Sequence, residues 1–459
     1  MSRRSLTRAT AIVVAGMILG RLTGMVRELS IAGTLGVTPD ADLVIIVISI
    51  PELLTALLVG GAVGAVLVPE FHRLRDAESP SAAHQFVCQS LLGIGLASVL
   101  VLPLLVPCAR FLAMVVAPGF EGQQLQRATA IVRVVLIAFP CCTLAAVTTA
   151  ALQASGRVAT ASLGTFLFNG VLIVAIVAML MPGRVEFLGW AVVAAASTRL
   201  LSQLAACWHA GLFSEGWQGG LRLTRLNRSL AIRYALALTA ISLTMFAPLI
   251  SRALASLLEG GIATFNYALK LVELPRGLLT TVLTMVFFPR ISQLFTSRRS
   301  QQAKKTVEKV TRLAILVTLP LAVGLIAGAH PIVSLLFERG QIGPAEVERI
   351  AALARIAFAA LPALVLVLLA MSVFHAQSNT RFPFVVSLLM TVAHLAVSAA
   401  LFFAWGEKGL MAALVVVTWL HWLVLAVSLR RRYGISMLGA RLALDKTTFR
   451  QERPEPKTT

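Results

Sequence analysis

Apolar runs long enough to cross a bilayer recur from one end of the chain to the other, and this restricts the fold more than any other feature. A transmembrane helix needs roughly 20 consecutive, mostly apolar residues. Such runs fall at about 9–31, 41–68, 86–108, 128–152, 158–181, 186–208, 231–255, 262–288, 310–330, 350–373, 383–404 and 409–429. Twelve spans predict an all-α polytopic membrane protein. Composition agrees: of 459 residues 58% are hydrophobic and 13% charged, with a mean hydropathy of +0.86. That is too little polar surface to coat a water-soluble globule of this length. The first run follows Met1-Ser2-Arg3-Arg4, as a signal peptide would. Arg21 interrupts it and no small-x-small cleavage site follows, so it reads as a retained first helix.

Lys and Arg total 40 against 20 acidic residues, a formal charge of +20. The cations cluster in alternate connections: Arg3, Arg4 and Arg8 at the start, Arg73 and Arg75 after the second span, Arg222, Arg225 and Arg228 after the sixth. Arg290, Arg298, Arg299, Lys304, Lys305 and Lys309 follow the eighth, and Arg430, Arg431 and Arg432 close the last. The positive-inside rule puts all of these, and both termini, in the cytoplasm. Much of the charge is therefore topogenic, and no nucleic-acid partner is expected. The boundaries predict an N-terminal lobe over 1–208, a cytoplasmic linker over 209–230, a C-terminal lobe over 231–432 and a cytoplasmic tail over 433–459.

The second and eighth spans read alike. One contains Ile50-Pro51-Glu52-Leu53-Leu54-Thr55 and ends at Val68-Pro69-Glu70-Phe71. The other contains Leu274-Pro275-Arg276-Gly277-Leu278-Leu279-Thr280 and ends at Phe288-Pro289-Arg290-Ile291. Pro51 and Pro275 stand close to half a chain apart, each in the second helix of a six-helix half. Both halves start on the same side, so the repeats are parallel, as in many transporters. A proline inside a membrane helix frees a carbonyl and bends the helix.

Several charges fall where a bilayer excludes them. Arg21 lies mid-span in the first helix, with Arg27 and Glu28 further along; Arg21 and Glu28 are seven apart, on nearly one face. A charge at the centre of a span costs on the order of 2.5–3.5 kcal/mol on insertion scales, and such residues are functional by default. Gly16, Gly20 and Gly24 form a small-xxx-small ridge that lets a neighbouring helix approach beside Arg21. Asp42 opens the second span. The eighth carries Lys270 and Glu273, three apart on one face. Internal pairs such as Arg21 with Asp42 or Glu28, or Glu52 with Lys270 across the halves, would offset the cost. Arg133, Arg199 and Arg355 are weaker candidates that could snorkel. An interior with these cations suits an anionic headgroup, because Arg makes bidentate contacts to phosphate and Lys supplies a point charge. A hydrophobic drug cation would prefer an acidic, aromatic interior.

No P-loop, HExxH or GxSxG motif is present, and the seven histidines are scattered. No cofactor, metal site or enzymatic activity is expected. Cys88, Cys108, Cys141, Cys142 and Cys207 lack zinc or CxxC spacing and read as core residues.

The run Gly20-Arg21-Leu22-Thr23-Gly24-Met25-Val26-Arg27-Glu28 resembles the first-helix signature of the lipid II flippases, the MurJ/MviN family. Asp42 with Pro51, Gly60-Gly61-Ala62 and Val68-Pro69 continue the resemblance. So do Ala117-Pro118-Gly119-Phe120, Phe139-Pro140, Asn169, Phe337-Glu338-Arg339-Gly340, and Phe374-His375-Ala376 through Thr380-Arg381-Phe382-Pro383. The match covers about residues 5–432. It implies the multidrug/oligosaccharidyl-lipid/polysaccharide exporter fold, two six-helix lobes around a central cavity. It also implies a multi-pass protein of the bacterial cytoplasmic (inner) membrane that turns undecaprenyl-pyrophosphate-linked peptidoglycan precursor outward. The family's cavity charges carry over to Arg21, Arg27, Asp42 and Lys270, supported by Gly20, Gly24, Glu28, Pro51, Glu52, Glu273 and Pro275. The chain departs from the family in its twelve spans against a usual fourteen, and in Thr55 and Ser49 where basic residues are common. It has no acid within 231–255 or 383–404, where a cation site would need one.

The reading that follows is a lipid II flippase working by alternating access, with lipid II or a similar polyprenyl-pyrophosphate glycolipid, membrane lipids and envelope-synthesis proteins as partners. Its rivals are a flippase for another polyprenyl-linked oligosaccharide, a multidrug cation exporter, and a transport-inactive membrane scaffold.

Overall fold

The computed structural model describes residues 3–57, 63–180, 185–213, 232, 234, 249–283, 287–296, 300–377 and 379–437. Most of the expected linker 209–230 and of the expected span 231–255 lie outside the described residues. So do Gly60, Gly61, Ala62, and the tail beyond residue 437. Every regular element among the described residues is helical.

The first half comprises α1 (Arg3–Leu35), α2 (Pro39–Leu57), α3 (Val63–Ala77), α4 (Pro80–Leu105), α5 (Ala109–Val116), α6 (Gly122–Leu136), α7 (Phe139–Ala154), α8 (Val158–Leu180) and α9 (Leu188–His209). The second comprises α10 (Gly261–Val282), α11 (Phe288–Thr296), α12 (Ser300–Ala327), α13 (Ala329–Phe337), α14 (Pro344–Phe358), α15 (Leu361–Ala376), α16 (Arg381–Trp405) and α17 (Glu407–Tyr433). Among the described residues seven segments are long and apolar enough to cross a membrane, and the pair α6–α7, bent by 45°, makes an eighth. The helices α2 and α10 are not among them. Each carries three charges, Asp40, Asp42 and Glu52 on one and Lys270, Glu273 and Arg276 on the other.

Local chemistry sets the breaks. Ser79 accepts from the Ala82 N–H at 3.1 Å and Pro80 follows it, so α4 starts there. Pro140 and Pro362 sit in the first turns of α7 and α15, where a missing N–H costs nothing. They divide what reads in sequence as single spans at 128–152 and 350–373. Of the expected span 41–68, α2 is described to Leu57 and α3 from Val63, and residues 58–62 lie outside the described residues. The expected connection 331–349 holds part of a helix of its own, α13. At the end of α17, Gly434 takes the left-handed conformation, and three arginines in the last turn face the negative end of the helix dipole.

The internal repeat extends well beyond the two prolines. The starts of α4 to α9, at Pro80, Ala109, Gly122, Phe139, Val158 and Leu188, pair with those of α12 to α17, at Ser300, Ala329, Pro344, Leu361, Arg381 and Glu407. The offset is about 220 residues throughout. Each half thus has a long helix, a helix of about two to three turns, a broken span and two closing helices.

Among the described residues the lobes share a buried core at one end. One apolar core draws on both halves, with Ile31, Val44 and Ile48 beside Phe265, Tyr267, Phe337 and Ile350. At the other end each lobe has a separate core, one around Leu67, Phe71, Phe86 and Leu152, the other around Ile291, Val307, Leu366 and Phe374. Arg73, Arg75, Arg290 and Arg430–432 belong to this divided, basic end. At the joined end the backbone itself makes the seam: Gln341 N–H donates to the Gly33 carbonyl at 3.1 Å, and Tyr267 Oη donates to the Gly36 carbonyl at 3.1 Å. Cys88, Cys142 and Cys207 are buried as expected of core residues, whereas Cys108 is exposed.

Gly340 has φ +63°, and a methyl group on it would collide with the Gly33 carbonyl. Gly340→Ala is expected to weaken the seam by about 1–3 kcal/mol from the backbone conformation alone. This reads as a lower thermal midpoint in detergent and easier labelling of a cysteine placed at Val37. An unchanged midpoint and unchanged labelling would show that the seam does not depend on this close approach.

Candidate functional site

A cavity of about 390 Å³ lies between the lobes, walled by α1, α2 and α8 on one side and α10 on the other. Helical spacing explains which residues reach it. On α10 the stripe Lys270, Glu273, Gly277 and Thr280 faces inward, on α1 it is Gly20, Gly24 and Arg27, and on α8 it is Thr165 and Asn169. The glycine ridge of α1 lies against α8: a methyl on Gly20 would sit 3.6 Å from Thr165, and one on Gly24 3.7 Å from Asn169 Nδ2. Small residues here let two membrane helices approach closely.

Four cations and two carboxylates line the cavity: Arg21, Arg27, Lys270 and Arg276 with Glu52 and Glu273. They differ sharply in how committed they are. Arg27 is 1% exposed. Its guanidinium donates to Glu28 Oε1 at 2.6 Å, to Glu52 Oε1 at 2.7 Å and to Asn169 Oδ1 at 3.0 Å. Glu28 in turn accepts from Asn266 Nδ2 at 2.7 Å, and Asn266 Oδ1 accepts from Arg252 at 3.3 Å. This buried chain crosses from one lobe to the other. Lys270 pairs with Glu273 on its own helix at 2.9 Å.

Arg21 has a different footing. It reaches across to α10, over Gly277, and donates to Thr281 Oγ1 at 3.1 Å. A side chain at 277 would lie 2.5 Å from Arg21 Nη1, so the glycine is what admits the guanidinium. Among the described residues no carboxylate lies within ion-pairing distance of Arg21, in contrast to the expected pairing with Asp42 or Glu28. Arg276 is exposed and adds a second cation on the same wall.

Asp42 stands apart from the cavity. It is buried, and its Oδ1 accepts from the Ala263 N–H at 2.7 Å, satisfying an open donor in the first turn of α10. Its carboxylate therefore ties the lobes together instead of facing the cavity as the resemblance implied. Pro51 and Pro275 lie inside α2 and α10, one residue from Glu52 and Arg276 respectively. Of the weaker candidates, Arg199 is buried within the first lobe, Arg133 is exposed, and Arg355 pairs with Glu348 at 3.0 Å. Sequence reasoning did not single out Arg276, Thr165 or Asn266. The stripe of α10 could have found the first, since Arg276 adjoins Gly277; a neutral Asn or Thr carries no comparable signal.

A family model described as "Lipid II flippase MurJ" matches residues 31–448 of this chain. The "Probable lipid II flippase MurJ" of Rhizobium meliloti (strain 1021) is 28% identical over 430 residues, covering 91% of this chain and 79% of that protein. The "Lipid II flippase MurJ" of Burkholderia cenocepacia is 25% identical over 464 residues, covering 96% and 89%. Among solved structures, a lipid II flippase MurJ in an inward closed conformation superposes with a TM-score of 0.80 at 15% identity, over 92% of this chain and 87% of that one. An inward-facing multidrug resistance MATE family transporter of the MOP superfamily gives 0.73 at 14% identity, over 93% and 98%. At such identities the structural likenesses establish the fold: two helical lobes around a central cavity, in a multi-pass membrane protein. The family model spans most of the chain, and with it the chain belongs to the lipid II flippase MurJ family.

Proposed function

We propose that this protein moves lipid II, an undecaprenyl-pyrophosphate-linked peptidoglycan precursor, from the inner to the outer leaflet of the cytoplasmic membrane. The observation that carries the reading is the cavity between the lobes, in which Arg21 and Arg276 lie on an open wall without a carboxylate partner among the described residues. Two guanidiniums on a partly desolvated wall suit a diphosphate. The lipid-facing exterior of the lobes suits a substrate whose tail stays in the bilayer. The protein then works by differential binding and movement, with no bond made or broken.

The positive-inside rule orients the divided, basic end toward the cytoplasm. In that orientation the joined end seals the cavity from outside, and the headgroup enters between the separate cytoplasmic cores. The lobes 1–208 and 231–432 would then rock about the cavity as units. Breaking the seam at Gly33, Gly36 and Asp42 and closing the basic end would present the headgroup outward. Glu52 and Glu273 supply the return step: their side chains are 36% and 40% exposed, and they compete for the cavity cations when the headgroup leaves. This role falls to them and not to Asp42, whose carboxylate is held by α10.

In a bacterium depleted of its own lipid II flippase, the wild-type chain is expected to restore growth and Arg21→Ala, at equal membrane abundance, to fail. Rescue by both would keep the substrate and discard the cavity assignment. Failure of the inserted wild type would move the weight to another polyprenyl-linked glycan.

Arg27→Ala should behave differently from Arg21→Ala. It strands Glu28 and Glu52 without their cation, and removing one partner of a buried pair costs about 3–5 kcal/mol. A large fall in thermal midpoint is expected for Arg27→Ala, against little change for Arg21→Ala. Equal midpoints would mean that Arg27 is a binding residue and not a strut.

A further inference from the structure

The helix α10 has a second working face. Its inner stripe lines the cavity, while Leu279, Val282 and Leu283 line the wall of a separate apolar slot of about 220 Å³. The opposite wall is α12, through Val310, Leu313 and Val317, and the floor is Val365 of α15. The slot exists because α10 and α12 each pack on α15 while making little contact with one another. It runs into a second hollow of about 330 Å³ that shares Phe287, Val310 and Leu313 with it. The second hollow is lined by cations: Arg290, Lys305 and Lys309. Arg312 stands on the same face of α12, as does one acid, Glu308.

The sequence of α12 explains the change of character. Lys305, Lys309, Leu313 and Leu316 follow one another at helical spacing, so a single stripe is cationic for its first turns and apolar after them. Such a switch marks the depth at which headgroups meet acyl chains. Basic pockets between membrane helices on the cytoplasmic side bind anionic headgroups.

We propose that this is a binding site for an anionic phospholipid of the cytoplasmic leaflet, with its phosphate among Arg290, Lys305, Lys309 and Arg312 and one chain in the slot behind α10. The site is distinct from the cavity and stands whatever the cavity carries. Charge complementarity selects the occupant: three or four cations against the single Glu308, above an apolar slot. Because α10 is the wall between slot and cavity, an occupied slot holds Val282 and Leu283 in place from behind.

The test is native mass spectrometry of the purified full-length protein titrated with phosphatidylglycerol, and with phosphatidylcholine of the same chains. The wild type should retain phosphatidylglycerol in preference to phosphatidylcholine. Lys305→Gln/Lys309→Gln should lower that retention by about tenfold, while Arg430→Gln/Arg431→Gln, an equal loss of charge at the same end, leaves it unchanged. Val282→Trp, which fills the slot and keeps the cations, should lower it as well. Equal retention by the lysine variant, or an equal loss in the arginine control, would overturn the site. Displacement of phosphatidylglycerol by equimolar farnesyl diphosphate would overturn the assignment of a phospholipid and give the slot to a prenyl diphosphate.

Discussion

Arg27 is the interaction on which the cavity depends. A guanidinium at 1% exposure inside a membrane protein is tolerable only where its donors are met. Here Glu28, Glu52 and Asn169 take up its terminal Nη1 and Nη2 groups, while Nε has no partner among the described residues, so that one side chain of α1 fixes α2 and α8 around itself. Through Glu28 and Asn266 the same charge chain reaches α10 and Arg252. The wall that bears Arg21 is held in shape by a neighbour whose own charge is already spent. Two arginines six residues apart, alike in sequence, thus do opposite work, one as a strut and one facing the open cavity.

In a bilayer apolar burial does not drive helix against helix, because lipid tails are as apolar as the side chains they replace. What joins the lobes must then be packing of small residues and hydrogen bonds. The seam has both: glycines at 33, 36 and 340, a backbone bond from Gln341, and the Asp42 carboxylate on the first turn of α10. All of these lie at one end of the molecule, and at the other end the buried apolar residues fall into two clusters, with Tyr234 packed against the first of them. A seam whose shared core and polar contacts are confined to one end can open without dismantling either lobe, whereas a shared core running the full depth could not.

Much of this was legible in the sequence, and for a physical reason. Charges inside apolar runs are costly, so Arg21, Arg27, Glu28, Lys270 and Glu273 stood out before any fold was known, as did the ridge of Gly20 and Gly24. In the sequence the repeat was visible only in the spans that hold Pro51 with Pro69 and Pro275 with Pro289, though the helices carry it much further. The breaks at 137–138 and 359–360 were hidden because the chain stays apolar through them, and hydropathy does not register a turn followed by a proline in the first turn of the next helix. Asp42 read as a cavity charge because its true partner is a backbone N–H 221 residues away, which no residue pattern announces. The apolar slot was invisible for the same reason: it is made by a contact that two helices do not make.

The opposed charges at the prolines fit a carrier better than a trap. Glu52 follows Pro51 and Arg276 follows Pro275, so the two halves set opposite charges at corresponding places, both on the cavity. A cavity with four cations and no acids would hold a diphosphate strongly and release it slowly, since the Coulomb attraction grows as water is excluded. Carboxylates that can take back the cations lower the cost of the empty state and so lower the barrier to release. The membrane potential adds to this: a headgroup of charge −2 leaving a negative interior gains up to about 4.6 kcal/mol per 100 mV, at about 2.3 per charge. Every protein cation that travels with the headgroup cancels part of that gain. Binding through a few uncommitted cations, with Arg27 neutralised internally, keeps the moving charge negative and lets the potential help.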